Sequence, residues 1–209
     1  LKSLNITHNN FLIVSKNPAN FTIIEMIKKR IPVIKSDLLK SLILKIERIK
    51  PDNIFIQHLP HTLYDPEVYD NTESPFQIPN DKISEGRLLF KRMQIPEGEP
   101  IICFFVRDQA YLNQKIKYKN HSWDYHSFRN GDLSVFQEMS ELMADEGYYL
   151  VRVGSVVEKK LRSYHPKVID YASEFRTDFG DIYLANKTKL FIGDTSGIMH
   201  IFQSQGCHG

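Results

Sequence analysis

No stretch of this chain approaches the ~18 consecutive apolar residues that a membrane-spanning helix needs; the longest apolar run is Ile101–Val106. No basic segment followed by an apolar one opens the chain, so nothing reads as a secretion signal. Cysteine is scarce. Cys103 and Cys207 are the only two in 209 residues, and no CxxC or Cys/His spacing suits zinc. That excludes a disulfide framework and points to a reducing, cytosolic setting. Neither sign of charge prevails: 27 Lys and Arg face 25 Asp and Glu, for a net +2. The balance therefore gives no argument for a nucleic-acid partner, and the basic groups Lys28-Lys29-Arg30 and Lys115–Lys119 read as solvated faces. A D-x-D pair, an internal repeat and a low-complexity segment are all missing. What is present is ordinary: 42% hydrophobic and 25% charged residues, enough for a large core that needs no metal or disulfide staple.

The patterning alternates short β-rich runs with amphipathic helices, which predicts an α/β fold with parallel sheets. Phe11–Ser15 reads as a strand, Asn17-Pro-Ala-Asn20 as a turn, Phe21–Lys29 as a helix and Ile31–Ile34 as a second strand. Ser36–Ile49 follows as a strong helix and Asn53–Gln57 as a short strand. His58–Asn80 is an irregular connection rich in Pro, Asp, Asn and Tyr. A helix is expected over Ile83–Met93. Ile101–Val106 has the continuous apolar character of a strand buried on both faces, with Cys103 a small core residue. A loop spans Gln109–Gly131, and Asp132 caps a helix that Gly147 stops. Further strands are expected at Tyr148–Val153, Val168–Tyr171 and Leu190–Ile192. Helices are expected from Asp178 or Asp181 to Lys187 and over Ile198–Gln205. The simplest organisation is two Rossmann-like halves: residues 1–85, short or truncated, and residues 86–209. The abrupt ends, Leu1 and Gly209, suggest a fragment of a longer protein.

The sharpest chemical signal is the turn Gly193-Asp-Thr-Ser-Gly197 between a strand and a helix. In open parallel sheets ligands bind beyond the carboxyl ends of strands. There the first turn of a helix offers free N–H groups and a dipole that favour an anion. Gly197 lets a phosphate approach, Thr195 and Ser196 add hydroxyls, and His200 lies one turn on. Asp194 reads as a cap or a loop anchor. The competing reading is a plain helix cap on an α/β turn.

Arg107 closes the buried strand, where its fork matches phosphate oxygens; the alternative is an ion pair with Asp108 or a neighbouring strand. Arg152, flanked by valines, is a donor contact or a structural ion pair with equal weight. The loop Trp123–Asn130 supplies Asp124 and His126, which with Asp108 are candidates for the base that deprotonates an acceptor hydroxyl. Arg129 is a further anion contact. Arg176 is a candidate for the nucleoside, and Asp178 reads as a cap. His58 and His61 have no acidic partner at ligand spacing, so no metal site is expected.

The segment Gly193–His200 resembles the donor loop of bacterial heptosyltransferases, roughly G-x-D-T/S-G-x-x-H, with one more residue before Gly197. A wider resemblance runs through Asn17-Pro-Ala-Asn20, Gly86-Arg-Leu-Leu89, Phe105-Val-Arg-Asp108, His126-Ser-Phe-Arg-Asn130, Gly147–Gly154, Asp170-Tyr-Ala172, Arg176-Thr-Asp178 and Phe191–Gly197. In order and spacing these are similar to a bacterial glycosyltransferase family met in surface-polysaccharide gene clusters. The resemblance implies a GT-B architecture in which residues 1–85 face the acceptor and residues 86–209 bind a nucleotide sugar. It implies a metal-independent transferase without a cofactor, the nucleotide-diphosphate sugar being its donor substrate. The acceptor would be a glycan or its lipid-linked precursor, and the enzyme would be cytoplasmic with peripheral contact to the inner membrane. Two further readings stand beside it. One is a sugar-nucleotide epimerase or pyruvyl transferase of similar architecture. The other is a half-enzyme that binds a nucleotide or a partner without catalysis.

Overall fold

The computed structural model describes residues 11–49, 77–115, 124–194 and 196–206, and it divides into two compact units, Leu1–Pro75 and Phe76–Gly209. In the first unit, strands β1 (Leu12–Val14) and β2 (Val33–Lys35) pair in parallel, with Leu12 opposite Val33. Helix α1 (Phe21–Lys28) joins them. Asn20 starts it by accepting the Ile23 N–H at 3.1 Å, as an N-cap should. Ile31 still belongs to the helix end, its N–H donating to Ile27 O at 3.0 Å, so β2 begins at Val33. Helix α2 (Asp37–Ile49) follows, and Asp37 Oδ1 accepts both the Ser15 hydroxyl and the Lys16 N–H. That carboxylate ties the end of β1 to the start of α2, completing the expected β-α-β unit. The strand expected at Asn53–Gln57 lies outside the described residues, as do His58 and His61.

The second unit opens with a 3-10 turn, Asn80–Lys82, and helix α3 (Ile83–Arg92). Strand β3 (Ile101–Phe105) is followed by α4 (Ala110–Lys115), a 3-10 turn (Asp124–Arg129), α5 (Leu133–Asp145) and β4 (Tyr149–Arg152). Then come β5 (Val168–Ile169), α6 (Tyr171–Glu174), α7 (Asp178–Lys187), β6 (Thr188–Gly193) and α8 (Gly197–Gln203). The segment read as one loop, Gln109–Gly131, thus holds a helix and a 3-10 turn. The strand read to Tyr171 ends at Ile169, because Tyr171 turns into α6. α3 straddles residue 85 in sequence and docks whole on the second unit. Gly86 lies so close to Tyr183 that a Cβ there would fall 2.1 Å from the ring.

The four strands are all parallel, in the order β5-β4-β3-β6. Alternation along each strand divides the core in two. Cys103, Tyr149, Val151 and Phe191 face one way, against Leu89 and Phe90 of α3, Phe179, Tyr183 and Leu184 of α7, and Phe202 of α8. Ile102, Phe104 and Leu150 face the other way, against Phe136, Met139, Met143 and Ala144 of α5. Each apolar side chain of this size adds about 1.5–3 kcal/mol when fully buried, and Phe104, Leu150, Val151 and Leu184 are completely enclosed. Helices on both faces explain why β3 reads as an unbroken apolar run.

The strand order matters for function. The chain moves outward from β3 to β4 to β5, then returns across the sheet so that β6 lies on the other side of β3. The sheet therefore has its topological switch point between β3 and β6. In open parallel sheets connections leave such a point in opposite directions, and the carboxyl edge between β3 and β6 is the crevice position this topology defines.

Candidate functional site

The crevice is built from the residues just past β3 and β6. Phe105 pairs with Gly193 at the end of the ladder. A Cβ on Gly193 would meet the Phe105 carbonyl oxygen at 2.5 Å, so only glycine fits there. One residue on, Asp194 Oδ2 accepts the Arg107 N–H at 3.3 Å. Gly131 seals the same spot: its N–H donates to Arg107 O at 3.0 Å, and a Cβ on it would lie 3.3 Å from Asp194 Oδ2. Asp194 is thus the loop anchor allowed by sequence, binding the turn after β6 to the end of β3, rather than a cap on α8.

Two arginines, Arg107 and Arg129, are near enough for their charges to act on one another. Arg107 is half-buried and Arg129 is exposed at the end of the 3-10 turn. Burial holds the Arg107 guanidinium below its ordinary pKa, the nearby Arg129 charge lowers it further, and Asp194 acts in the opposite direction. The two like charges disfavour one another. Arg107 does not pair with Asp108, the alternative raised from sequence. Asp108 Oδ1 accepts the Ala110 N–H at 3.0 Å and its Oδ2 accepts the Glu158 N–H at 2.8 Å. A carboxylate with both oxygens held by backbone N–H groups is poorly placed to take a proton from an acceptor.

Ser196 and Gly197 open α8, as expected. The Ser196 side chain does not cap the helix, and its Oγ is buried with no hydrogen-bond partner among the described residues. Thr195 and the side chains of Asp124 and His126 lie outside the described residues. His200 is exposed, with Nδ1 3.2 Å from Gln203 Oε1 of its own helix.

Arg152 is not at the surface of the crevice. It is 2% exposed, with Nη1 donating to Lys159 O at 2.5 Å and lying 3.7 Å from Asp170 Oδ2. An arginine so enclosed has no face to offer a donor, and the structural ion pair is the reading that fits.

Arg176 is held as well, by Asp178 at 2.7 Å and Asp181 at 2.9 Å. The cap of α7 is Thr177 Oγ1, accepting the Gly180 N–H at 2.9 Å, and not Asp178. Sequence alone makes Asp181 a possible helix start, yet an acid inside the apolar stretch Phe179–Ala185 signals a buried, paired carboxylate. Tyr171 Oη lies 2.9 Å from Asp181 Oδ1.

Burial raises the Asp181 carboxyl from 3.8 to about 6, against the pull of Arg176 and Tyr171. A raised folded-state pKa means the folded protein holds this proton more tightly than the unfolded chain does. The stabilising contribution is full below about pH 4 and is lost as pH rises through about 6. The unfolding free energy from urea titration should therefore fall further between pH 4.5 and pH 7.5 in wild type than in Asp181→Asn, by an amount on the order of 2 kcal/mol. Equal changes in the two proteins would contradict this.

A separate depression of about 630 Å³ opens at the amino end of the sheet, among Arg87, Phe90, Lys91, Tyr183, Lys187 and Lys189. The last turns of α3 and α7 meet there, and Lys91, Arg92 and Lys187 complement those helix C-termini. Helix N-termini and the switch point lie at the other end, which is the better place for an anion. Among the described residues no group of three His, Cys, Asp or Glu is arranged to hold a metal, and no helix is long and apolar enough to cross a membrane. Comparison with protein-family models, with curated proteins and with solved structures gave no match to this chain.

Proposed function

We propose that this chain is a glycosyltransferase that moves a sugar from a nucleotide-diphosphate donor to a surface glycan or its lipid-linked precursor. The donor diphosphate would lie in the crevice between β3 and β6. The observation that carries the reading is the meeting of Arg107 and Arg129 at the switch point, beside the turn that Asp194 anchors. Positive charge there would stabilise the departing diphosphate, which is the largest electrostatic demand of the transfer. Ser196 and Gly197 would admit phosphate oxygens to the first turn of α8. With Asp108 committed to backbone N–H groups, the base is Asp124 or His126, on the same 3-10 turn that carries Arg129. In this reading the first unit, with its β-α-β core, forms the acceptor side of a GT-B architecture.

The test is release of nucleoside diphosphate from uridine, guanosine, cytidine and adenosine diphosphate sugars. One donor class should turn over, slowly without acceptor, and Arg107→Ala should reduce that turnover by about a hundredfold. No release from any donor would remove the transferase reading. The engagement of both Asp108 oxygens favours one alternative, a nucleotide-binding module without catalysis, and binding with no turnover would select it.

A further inference from the structure

The depression at the amino end of the sheet is bordered by the turn that ends α3. That turn is a Schellman closure: the Ile95 N–H donates to Phe90 O at 3.0 Å and the Gln94 N–H to Lys91 O at 3.1 Å. Gln94 stands at the left-handed position of the motif, with φ 56°. Glycine is the usual occupant there, because a Cβ in that conformation crowds the backbone. The chain follows that rule after α5, where Gly147 fills the same place at φ 105°. Among the described residues Gln94 is the only non-glycine with a positive φ. A side chain kept in so unfavourable a conformation points to a use for it.

Gln94 lines the depression, whose volume of about 630 Å³ suits a small organic molecule. No hydrogen bond within the described residues commits its amide. The floor is apolar. Phe90, Ile101 and Tyr183 are each at most 9% exposed, and the rings of Phe90 and Tyr183 meet edge to face at 5.0 Å. The exposed lining is charged. It holds four cations, Arg87, Lys91, Lys187 and Lys189, against two carboxylates, Glu97 and Glu99, a surplus of two positive charges. Glu97 lies 3.3 Å from Arg87. Among the described residues no ion pair joins Lys91, Lys187 or Lys189 to an acid. The last turns of α3 and α7 meet here, and each helix C-terminus contributes about −0.5 charge. About one positive charge remains. That is too little to favour a diphosphate and enough to favour a monoanion.

We propose that this depression binds a small organic monoanion, a carboxylate on an apolar ring or chain, and that Gln94 keeps its left-handed place because its amide contacts that ligand. The apolar body rests on Phe90, Ile101 and Tyr183, and the carboxylate meets the lysines. The site is separate from the crevice between β3 and β6, which lies at the opposite end of the same sheet.

Titration of the isotope-labelled protein with cinnamate, followed by amide NMR shifts, tests this. The amides of Gln94, Glu97, Gly98, Glu99, Lys187 and Lys189 should shift and saturate. Cinnamamide, nearly the same shape without the charge, should bind at least about tenfold more weakly. Lys189→Gln should weaken cinnamate binding by about threefold to tenfold with an unchanged melting midpoint. Lys160→Gln, the same charge change on the loop after β4 at the carboxyl end of the sheet, should bind as wild type does. Gln94→Gly separates the ligand contact from the fold. It should raise the melting midpoint by roughly 2–4 °C, since glycine accepts the left-handed conformation. It should also weaken cinnamate binding by about fivefold to tenfold, the effect of one lost hydrogen bond.

No saturable shift of those amides at millimolar cinnamate would overturn the site. Equal binding of cinnamamide would overturn its preference for an anion. Equal weakening by Lys160→Gln would do the same, since net charge alone would then explain the loss. If Gln94→Gly binds as tightly as wild type, or melts at a lower temperature, the role given to Gln94 is overturned.

Discussion

Replacing Asp170 by Ala should cost about 3–5 kcal/mol of folding free energy, seen as a lower urea midpoint with an unchanged slope. Asp170 is 8% exposed and faces an arginine that is 2% exposed. Removing the carboxylate leaves the Arg152 charge in the interior with Lys159 O as its remaining close partner, and it also frees the Leu161 N–H. Burial already holds the Arg152 guanidinium below its ordinary pKa, with Asp170 and Asp108 opposing that shift. Deleting the larger of those opposing charges makes the interior still less hospitable to the cation. The double variant Arg152→Met with Asp170→Leu should recover much of the loss, because it removes both charges and leaves none unpaired. A single-variant cost below about 1 kcal/mol would show that the pair is solvated and that the loop it grips is not fixed.

Gly193→Ala should be the most damaging substitution at the crevice, lowering stability by about 3 kcal/mol and abolishing ligand binding there. The added methyl would lie 2.5 Å from the Phe105 carbonyl oxygen and 3.1 Å from the Phe105 nitrogen. Those are backbone atoms of the central strand, which cannot swing aside as a side-chain tip can. The strain is relieved only by separating β6 from β3 at its end, which carries Asp194 away from the Arg107 N–H. By contrast, Gly197→Ala meets nothing within 4 Å and should fold normally. A thermal melt of the two variants distinguishes them, and equal midpoints would contradict the close approach of β6 to β3.

Much of this arrangement is written locally. The run Ile101–Val106 announces a buried parallel strand, and Asp132 and Gly147 mark the two ends of α5. Asn20 before Phe21 predicts its own cap. These features depend on residues a few positions apart, where periodicity and capping chemistry operate. The strand order is different. Nothing in the spacing of β5 and β6 says that β6 crosses back to the far side of β3, although that crossing makes the crevice.

The pairing of Arg152 with Asp170 is equally hidden, since it links residues that become neighbours only once β4 and β5 lie side by side. Hence Arg152 stands in sequence as an even choice between ligand and structure. Asp108 looks like a base because a charged residue at a strand end often is one. Its commitment to Ala110 and Glu158 depends on where the loop after β4 returns.

The most direct measurement is a melting experiment with nucleoside diphosphates on the wild type and on Arg107→Ala. At a hundred times the dissociation constant a ligand adds about 2.7 kcal/mol. For a chain of this size that is a rise of roughly 5–10 °C. At least one nucleoside diphosphate should produce such a rise in wild type, and Arg107→Ala should lose most of it. If no nucleoside diphosphate moves the wild-type midpoint at millimolar concentration, or if Arg107→Ala responds as fully as wild type, the crevice between β3 and β6 is not a diphosphate site.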